Sequence, residues 1–225
     1  MTNQYVGIEK VSQSELATNK VLRNTYLLLG MTLMFSAAMA AVSYTTGAAP
    51  LNPFITMGVY FGLLMLVHFT ANSSMGIISV FALTGFMGYT LGPIINLYIA
   101  HLVNGQQLVM TSLAGTGLIF FALSGYVLTT RKDMSYLGGF LTVGLVIAFI
   151  AALSTLFFPM PLLSLGISAL FMLLSSGLIM FETSQIIHGG QQNYILATVT
   201  LYVSLYNIFL SLLHLLSAFS GNNRD

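Results

Sequence analysis

The chain has 225 residues, of which 56% are hydrophobic and only 5% are charged, and its mean hydropathy is +0.90. About a quarter of the residues of soluble domains are charged, so this composition excludes a soluble globular fold and predicts one membrane domain. The formal net charge is +1. Cysteine is absent, and this absence excludes disulfides, thiol catalysis and cysteine-ligated metals. Arg131 and Lys132 form the only basic patch, so no nucleic-acid partner is expected.

Residues 1–20, "MTNQYVGIEKVSQSELATNK", are polar and come before the first apolar run. They lack the short apolar core and the small-residue cleavage site of a signal peptide. We therefore expect a polar N-terminal tail over residues 1–20, disordered because it has little apolar surface to bury.

Seven apolar segments follow the tail, and a bilayer core of about 30 Å needs roughly 20 residues per helix. The predicted spans are Leu22–Tyr44, Phe54–Thr70, Ile77–Ala100, Leu108–Thr129, Tyr136–Phe158, Leu162–Ile187 and Tyr194–Phe219. Turn-forming stretches such as "GAAPLNP" and "HGGQQN" separate them. No strand-like alternation occurs, so a transmembrane barrel is not expected. The sequence predicts an all-α bundle of seven transmembrane helices over residues 21–219, with a short C-terminal tail over residues 220–225.

Lysine and arginine predict the orientation of the bundle, because basic residues concentrate on the cytoplasmic side. Seven spans place five of the six basic residues on the side of the N-terminus: Lys10, Lys20, Arg23, Arg131 and Lys132. Only Arg224 falls on the other side. An even number of spans would also leave Arg224 inside, but one clear segment would have to be dropped. We therefore expect a cytoplasmic N-terminus, a cytoplasmic loop around Arg131, Lys132 and Asp133, and a periplasmic C-terminus.

Three glycines interrupt the third span at steps of three and four residues: Gly85, Gly88 and Gly92. This spacing gives one smooth helix face on which another backbone can approach closely. Helix packing is the favoured interpretation, and a substrate site at a broken helix is the alternative.

Small and polar residues form a stripe on each of the last two spans. On the seventh span they recur at steps of three and four residues, and on the sixth every seven residues, so each set shares one helix face. The stripes consist of Ala197, Thr200, Ser204, Asn207, Ser211 and His214 on the seventh span and Ser168, Ser175 and Glu182 on the sixth. Because only the residues from His188 to Asn193 connect the two helices, we expect antiparallel neighbours with facing stripes.

Glu182 is the one formally charged residue inside an apolar run. A charge at the bilayer centre costs about 2.5–3.5 kcal/mol on insertion scales, so we expect a protonated, hydrogen-bonded carboxyl with a functional role. The alternative is that Glu182 reaches the membrane interface. The histidines show no metal-ligand spacing, and the spans lack a Schiff-base lysine, a pair of aspartates or a serine elbow. No enzyme activity, cofactor or metal is therefore expected.

Several stretches resemble the Bax inhibitor family of seven-span membrane proteins, and more narrowly its proteobacterial YccA-like branch. They are "LRNTYLLLGMTLMFSA", "GIISVFALTGFMGYTLGPI", "YVLTTRKDMSYLGGFL" and "FETSQIIHGG…NYILATVTLYVSLYNIFLSLL". The resemblance covers about Lys20 to Phe219, and its most specific parts are "TTRKDMS" and "LYVSLYNIFLSLL".

The resemblance implies two functions. The narrower branch implies a bacterial inner-membrane protein that binds the FtsH membrane protease with its partners HflK and HflC and restrains it. The wider family implies a pH-sensitive calcium or proton leak that uses two acids, one late in the sixth span and one in "LYLD" of the seventh. Glu182 matches the first acid, but Ser204 stands at the second, so a proton-sharing pair of carboxylates is lost. The candidate proton- or ion-sensing residues are Glu182, Ser204 and Asn207.

Overall fold

A computed structural model describes the backbone of residues 2–155, 157 and 160–220, and side chains from Leu16 onward within those ranges. The described chain forms seven helices, and each is long and apolar enough to cross a membrane. They are α1 (Thr2–Thr45), α2 (Pro53–Thr70), α3 (Met75–His101), α4 (Gly105–Thr130), α5 (Leu137–Ser154), α6 (Pro161–Ile187) and α7 (Tyr194–Ser220). The predicted all-helical, seven-span architecture is confirmed.

The structure departs most from the prediction at the N-terminal end of the chain. Over residues 2–20 the expected disorder is wrong, because the backbone from Thr2 continues into the first span as one helix, and α1 crosses the predicted boundary at residue 20 without a break. Helical hydrogen bonds along a chain already nucleated by the apolar segment outweigh the polar composition. Residues 221–225, including Arg224, lie outside the described residues, as do the side chains of residues 1–15.

α7 is the central helix of the bundle. It packs against α1, α2, α3, α4 and α6. In its most apolar stretch of 18 residues 61% is buried, whereas the corresponding share is 6% for α2 and 11% for α5. The main core cluster contains Leu201, Tyr202, Leu205 and Ile208 from this helix. The most protected helix is therefore also the one that carries the longer polar stripe.

Close packing of α3 on α1 depends on the three glycines of α3. A Cβ atom at Gly85 would overlap the Phe35 ring, one at Gly88 would overlap the backbone and side chain of Ser36, and one at Gly92 would overlap Ser43. A hydrogen bond beside this contact joins the hydroxyls of Ser36 and Tyr202, and the Tyr202 hydroxyl donates to Thr84 O at 3.2 Å. The glycine face therefore brings α1 and α3 together over α7.

Hydrogen bonds between turns define two faces of the bundle. On the face that carries the α2–α3, α4–α5 and α6–α7 turns, here called the N-terminal face, Asn193 Nδ2 donates to Ala71 O at 3.1 Å and to Asn72 Oδ1 at 2.8 Å. On the opposite, C-terminal face, Asn104 Nδ2 donates to Ser220 Oγ at 2.9 Å, and Ser220 Oγ donates back to Asn104 Oδ1 at 3.1 Å. These bonds hold both ends of α7 to neighbouring turns.

Candidate functional site

α6 and α7 form the candidate site, and the turn between them fixes their antiparallel arrangement. Gly189 adopts a positive φ of 76°, which a residue without a Cβ reaches at little cost. Gln191 N then donates to Gln185 O at 3.0 Å. Asn193 Oδ1 begins α7 by accepting from Ile195 N at 2.9 Å and Leu196 N at 3.3 Å. The sequence "HGGQQN" therefore supplies both the reversal and the helix cap.

A hydrogen bond at the other end of the pair sets the register of the two polar stripes. Ser168 Oγ and His214 Nδ1 lie 2.7 Å apart. Seven residues further along α6 and seven back along α7, Ser175 is level with Asn207, and a further seven residues bring Glu182 level with Thr200. We refer to these three levels as the polar seam. The predicted facing of the two stripes is thus supported by a direct contact at its outer end.

Glu182 is buried, with 5% of its surface exposed, and its Oε1 atom has no hydrogen-bond partner within the described residues. The side-chain amide of Gln191 interacts with the carboxyl. The neighbouring Thr183 is fully buried, and its Oγ1 lies 3.4 Å from the Tyr26 hydroxyl of α1. The carboxyl therefore lies inside the bundle, close to the α6–α7 turn, and one of its oxygens has no partner among the described residues.

Ser204 and Asn207 occupy different surroundings. Ser204 is fully buried and its hydroxyl donates to Thr200 O at 2.8 Å within α7. It lies four residues beyond the level of Glu182, which is about 6 Å along the helix at about 1.5 Å per residue. Asn207 is half-buried and lines a cavity on the C-terminal half of the bundle. A direct pairing of Glu182 with Ser204 stays a prediction, since Thr200 is the residue on its level.

Further buried oxygens without a described partner accompany Glu182. They belong to three helices and comprise Thr25 Oγ1, Ser124 Oγ and Ser175 Oγ, with Ser43 Oγ further out on α1. Thr25 lies beside α7, because Thr198 Oγ1 donates to Thr25 O at 3.3 Å. A membrane interior offers such groups no bulk water, so the bundle holds buried polar groups on α1 and α4 that the two stripes did not include.

The loop around Arg131, Lys132 and Asp133 is bound tightly to the end of α6. Arg131 ends α4 with a φ of 50°, and its carbonyl oxygen lies 3.1 Å from His188 Nε2. The buried Ser184 hydroxyl accepts from Met134 N at 2.9 Å and donates to Lys132 O at 3.3 Å. The predicted loop is therefore a fixed structural connection between α4, α5 and α6.

Two ionisable groups of this loop respond to their local partners. The Ser135 hydroxyl and amide donate to Asp133 Oδ1 at 2.6 and 2.8 Å, and these bonds hold the pKa of Asp133 below its ordinary value. Lys132 Nζ lies 5.7 Å from the centre of the Tyr126 ring, and interaction with Tyr126 raises the pKa of Lys132. Both groups remain charged near neutral pH.

Sequence reasoning missed the residues that surround the seam. The Gln191 side chain interacts with Glu182, and the Tyr26 hydroxyl contacts Thr183, the residue after Glu182. Neither stripe contains Gln191, Tyr26 or Thr183. Polar residues in a turn next to a buried acid, and tyrosines on an otherwise apolar helix, were the available signals. No group of three or more metal-ligating side chains occurs in the described part of the chain.

The fold and the seam together define a multi-span membrane protein whose central helix carries a buried polar face. The chain belongs to the family described as "Inhibitor of apoptosis-promoting Bax1", whose model matches residues 18–221.

Named relatives cover almost all of the chain. It is 53% identical over 203 residues to the "Modulator of FtsH protease YccA" of Escherichia coli K12, a match that covers 90% of this chain and 92% of the relative. The same identity and coverage apply to the "Inner membrane protein YccA" of Escherichia coli O6:H1. An uncharacterised protein of Pseudomonas aeruginosa is 47% identical over 223 residues, which cover 99% of this chain and 100% of the relative.

Proposed function

We propose that this protein is an inner-membrane modulator that binds an FtsH-type protease, together with HflK- and HflC-like partners, and restrains its degradation of membrane substrates. The observation that carries the proposal is the 53% identity, over 90% of this chain, to a relative named as a modulator of that protease. A role without catalysis of its own agrees with the names of the relatives and with the absence of a recognisable catalytic group in the sequence.

An N-terminal face in the cytoplasm fits this function. That face carries Lys20, Arg23, Arg131 and Lys132 as exposed side chains, and basic residues favour the cytoplasmic side. The C-terminus then lies in the periplasm. An ATP-driven protease that pulls on cytoplasmic segments would meet the N-terminal end of α1 first.

Residues 1–20 are therefore the part of this chain that we expect the protease to engage. They are polar, and the helix that they begin continues into the first membrane span, which packs on α3, α6 and α7. The packed bundle would resist a pull on this end of the chain. The protease would therefore stay engaged with this protein without unfolding it, and would be kept from other substrates.

Co-purification from detergent tests the proposal. The full-length chain is compared with a variant that lacks residues 1–20 and with one in which they are replaced by a Gly/Ser linker of equal length. We expect the full-length chain to co-elute with the protease and to slow degradation of a membrane substrate, and both altered chains to do so more weakly. If neither the full-length nor the shortened form associates with the protease, the proposal is wrong.

A pH-sensitive calcium or proton leak is the second candidate function. The buried carboxyl of Glu182, with one oxygen unpartnered among the described residues, favours it. Calcium prefers six to eight oxygen ligands and formal negative charge, and a single carboxylate supplies little of either. Flux through vesicles that contain the purified protein is the test, and equal flux with and without the protein would contradict this function.

A further inference from the structure

A cavity of about 330 Å³ lies on the C-terminal half of the bundle, away from Glu182. Its walls come from three helices: Tyr98 of α3, Ser168 and Phe171 of α6, and Asn207, Leu210, Ser211 and His214 of α7. α3 and α6 do not pack against each other in the described residues, so the cavity separates them over the surface of α7. Most of its lining residues are half-buried, which shows that it reaches the outer surface of the helix bundle.

The floor of the cavity presents hydrogen-bonding groups that have no described partner. Neither the Asn207 amide nor the Ser211 hydroxyl forms a hydrogen bond within the described part of the chain. Asn207 is at the midpoint of α7, which runs from Tyr194 to Ser220. In the hydrocarbon region of a membrane an unsatisfied polar group costs several kcal/mol, so we expect an amide at the middle of a spanning helix to need a partner.

The chemistry of the lining selects what can fill the cavity. Acyl chains cannot pair with an amide or a hydroxyl, and no Asp, Glu, Lys or Arg lines the walls to bind a charged headgroup. Three turns of a helix about 10 Å across occupy roughly 1,200 Å³, so the volume accepts side chains rather than a whole helix. In membranes, uncharged polar side chains hydrogen-bond across helix interfaces, and a side chain of that kind fits the cavity.

We propose that this cavity is a docking site for a transmembrane helix of the protease complex, which inserts an uncharged polar side chain toward Asn207 and Ser211. The aromatic rings of Tyr98 and Phe171 pack against the aliphatic part of the incoming side chain. The inference rests on the proposed function, and it adds a contact within the membrane to the contact made by residues 1–20.

Photo-crosslinking in the intact inner membrane tests the docking site, with full-length protein throughout. A benzoylphenylalanine replaces Leu210, which lines the cavity, or Leu173, which is 59% exposed on α6 at nearly the same depth and lies outside the cavity. We expect a protease-complex adduct from position 210, mapped by mass spectrometry to a transmembrane segment, and none from position 173.

Substitutions in the floor of the cavity give the second readout. Asn207→Leu should lower the yield of the adduct by about threefold to tenfold, the range expected for one interhelical hydrogen bond. Asn96→Leu, at an exposed asparagine of α3 outside the cavity, should leave the yield unchanged. Ser211→Ala should lower it as well and changes too little volume to disturb the fold.

The outcomes separate the docking site from the function. If the full-length protein co-elutes with the protease but position 210 links only to lipid, to a second copy of this chain or to nothing, the docking site is wrong and the function stands. Equal adduct yields from Asn207→Leu, Ser211→Ala and Asn96→Leu would also overturn it. If the full-length protein does not associate with the protease, the function and the docking site both fail.

Discussion

Single side chains hold the N-terminal face of the bundle together, and Ser184 connects the end of α6 to the α4–α5 loop. Its hydroxyl accepts from Met134 N at 2.9 Å and donates to Lys132 O at 3.3 Å. Ser184 is fully buried and Met134 is 4% exposed. One hydroxyl therefore satisfies two backbone groups of the α4–α5 loop, and the bond to the Met134 amide is buried.

Ser184→Ala should destabilise the protein by about 1–3 kcal/mol, because it leaves the buried Met134 amide without an acceptor. Thermal unfolding in detergent measures the effect, and the midpoint should fall. Ser176→Ala is the matched control on the same helix, since the half-buried Ser176 hydroxyl bonds only to Met172 O of its own turn. Its effect should stay within about 0.5 kcal/mol. Equal midpoints for the two variants would contradict the role of Ser184.

The sequence predicted some residue environments and could not predict others. Glu182 stood out in the sequence because an ionisable residue within a membrane span is rare and usually functional. The structure places this side chain inside the bundle. Helical periodicity and the short connection between α6 and α7 predicted that the stripes carrying Ser168 and His214 face each other, but not that these two residues are in direct contact. Periodicity carries no signal for Gln191 or for the Ser184 contacts with a distant loop, since both depend on how the turns of the N-terminal face meet.

At the scale of helix pairs, a sequence pattern of small residues predicts which face of a helix packs closely against another helix. The steps of three and four between Gly85, Gly88 and Gly92 predicted a packing face, and that face lies against α1. The identity of the partner helix was not predictable, because a smooth face is open to any neighbour. Span boundaries were predicted within a few residues except at α1, where apolar patterning cannot show how far a helix extends into a polar segment.

Gly88→Ala should weaken the packing of α1 on α3. A Cβ atom at this position would overlap the backbone of Ser36, and overpacking of this kind costs about 1–3 kcal/mol. Gly62→Ala is the control, because a Cβ there meets nothing within 4 Å on an exposed part of α2. Alanine should stabilise that helix slightly or leave it unchanged. A lower unfolding midpoint is expected for Gly88→Ala alone, and a fall of the same size in both variants would argue against the close contact.

The whole molecule is organised around α7, which passes through the centre of the bundle. One side of this helix carries the polar seam, and another carries Tyr202, which hydrogen-bonds to Ser36 of α1 and Thr84 of α3. The seven-span count followed from hydropathy and turn residues, whereas the central position of α7 did not, because its composition resembles that of the other spans. This arrangement keeps Glu182 and Ser204 away from lipid. It leaves the bundle with one acid where a proton-sharing or calcium-binding site would need two.

Ser204→Asp should restore the missing acid and give the protein pH-dependent calcium binding. Ser204 is about 6 Å along α7 from the level of Glu182, so an aspartate at this position would add a second buried carboxylate on the facing helix. Because metal binding requires ionised carboxylates, binding should strengthen as pH rises, and calcium flux into vesicles should follow it. Calcium titration at several pH values measures this, with Ser204→Asn as the uncharged control of similar size. Adding Glu182→Gln should abolish the gain. If Ser204→Asp binds no more calcium than Ser204→Asn, Glu182 and Ser204 do not share one site, and the leak loses its structural basis in this chain.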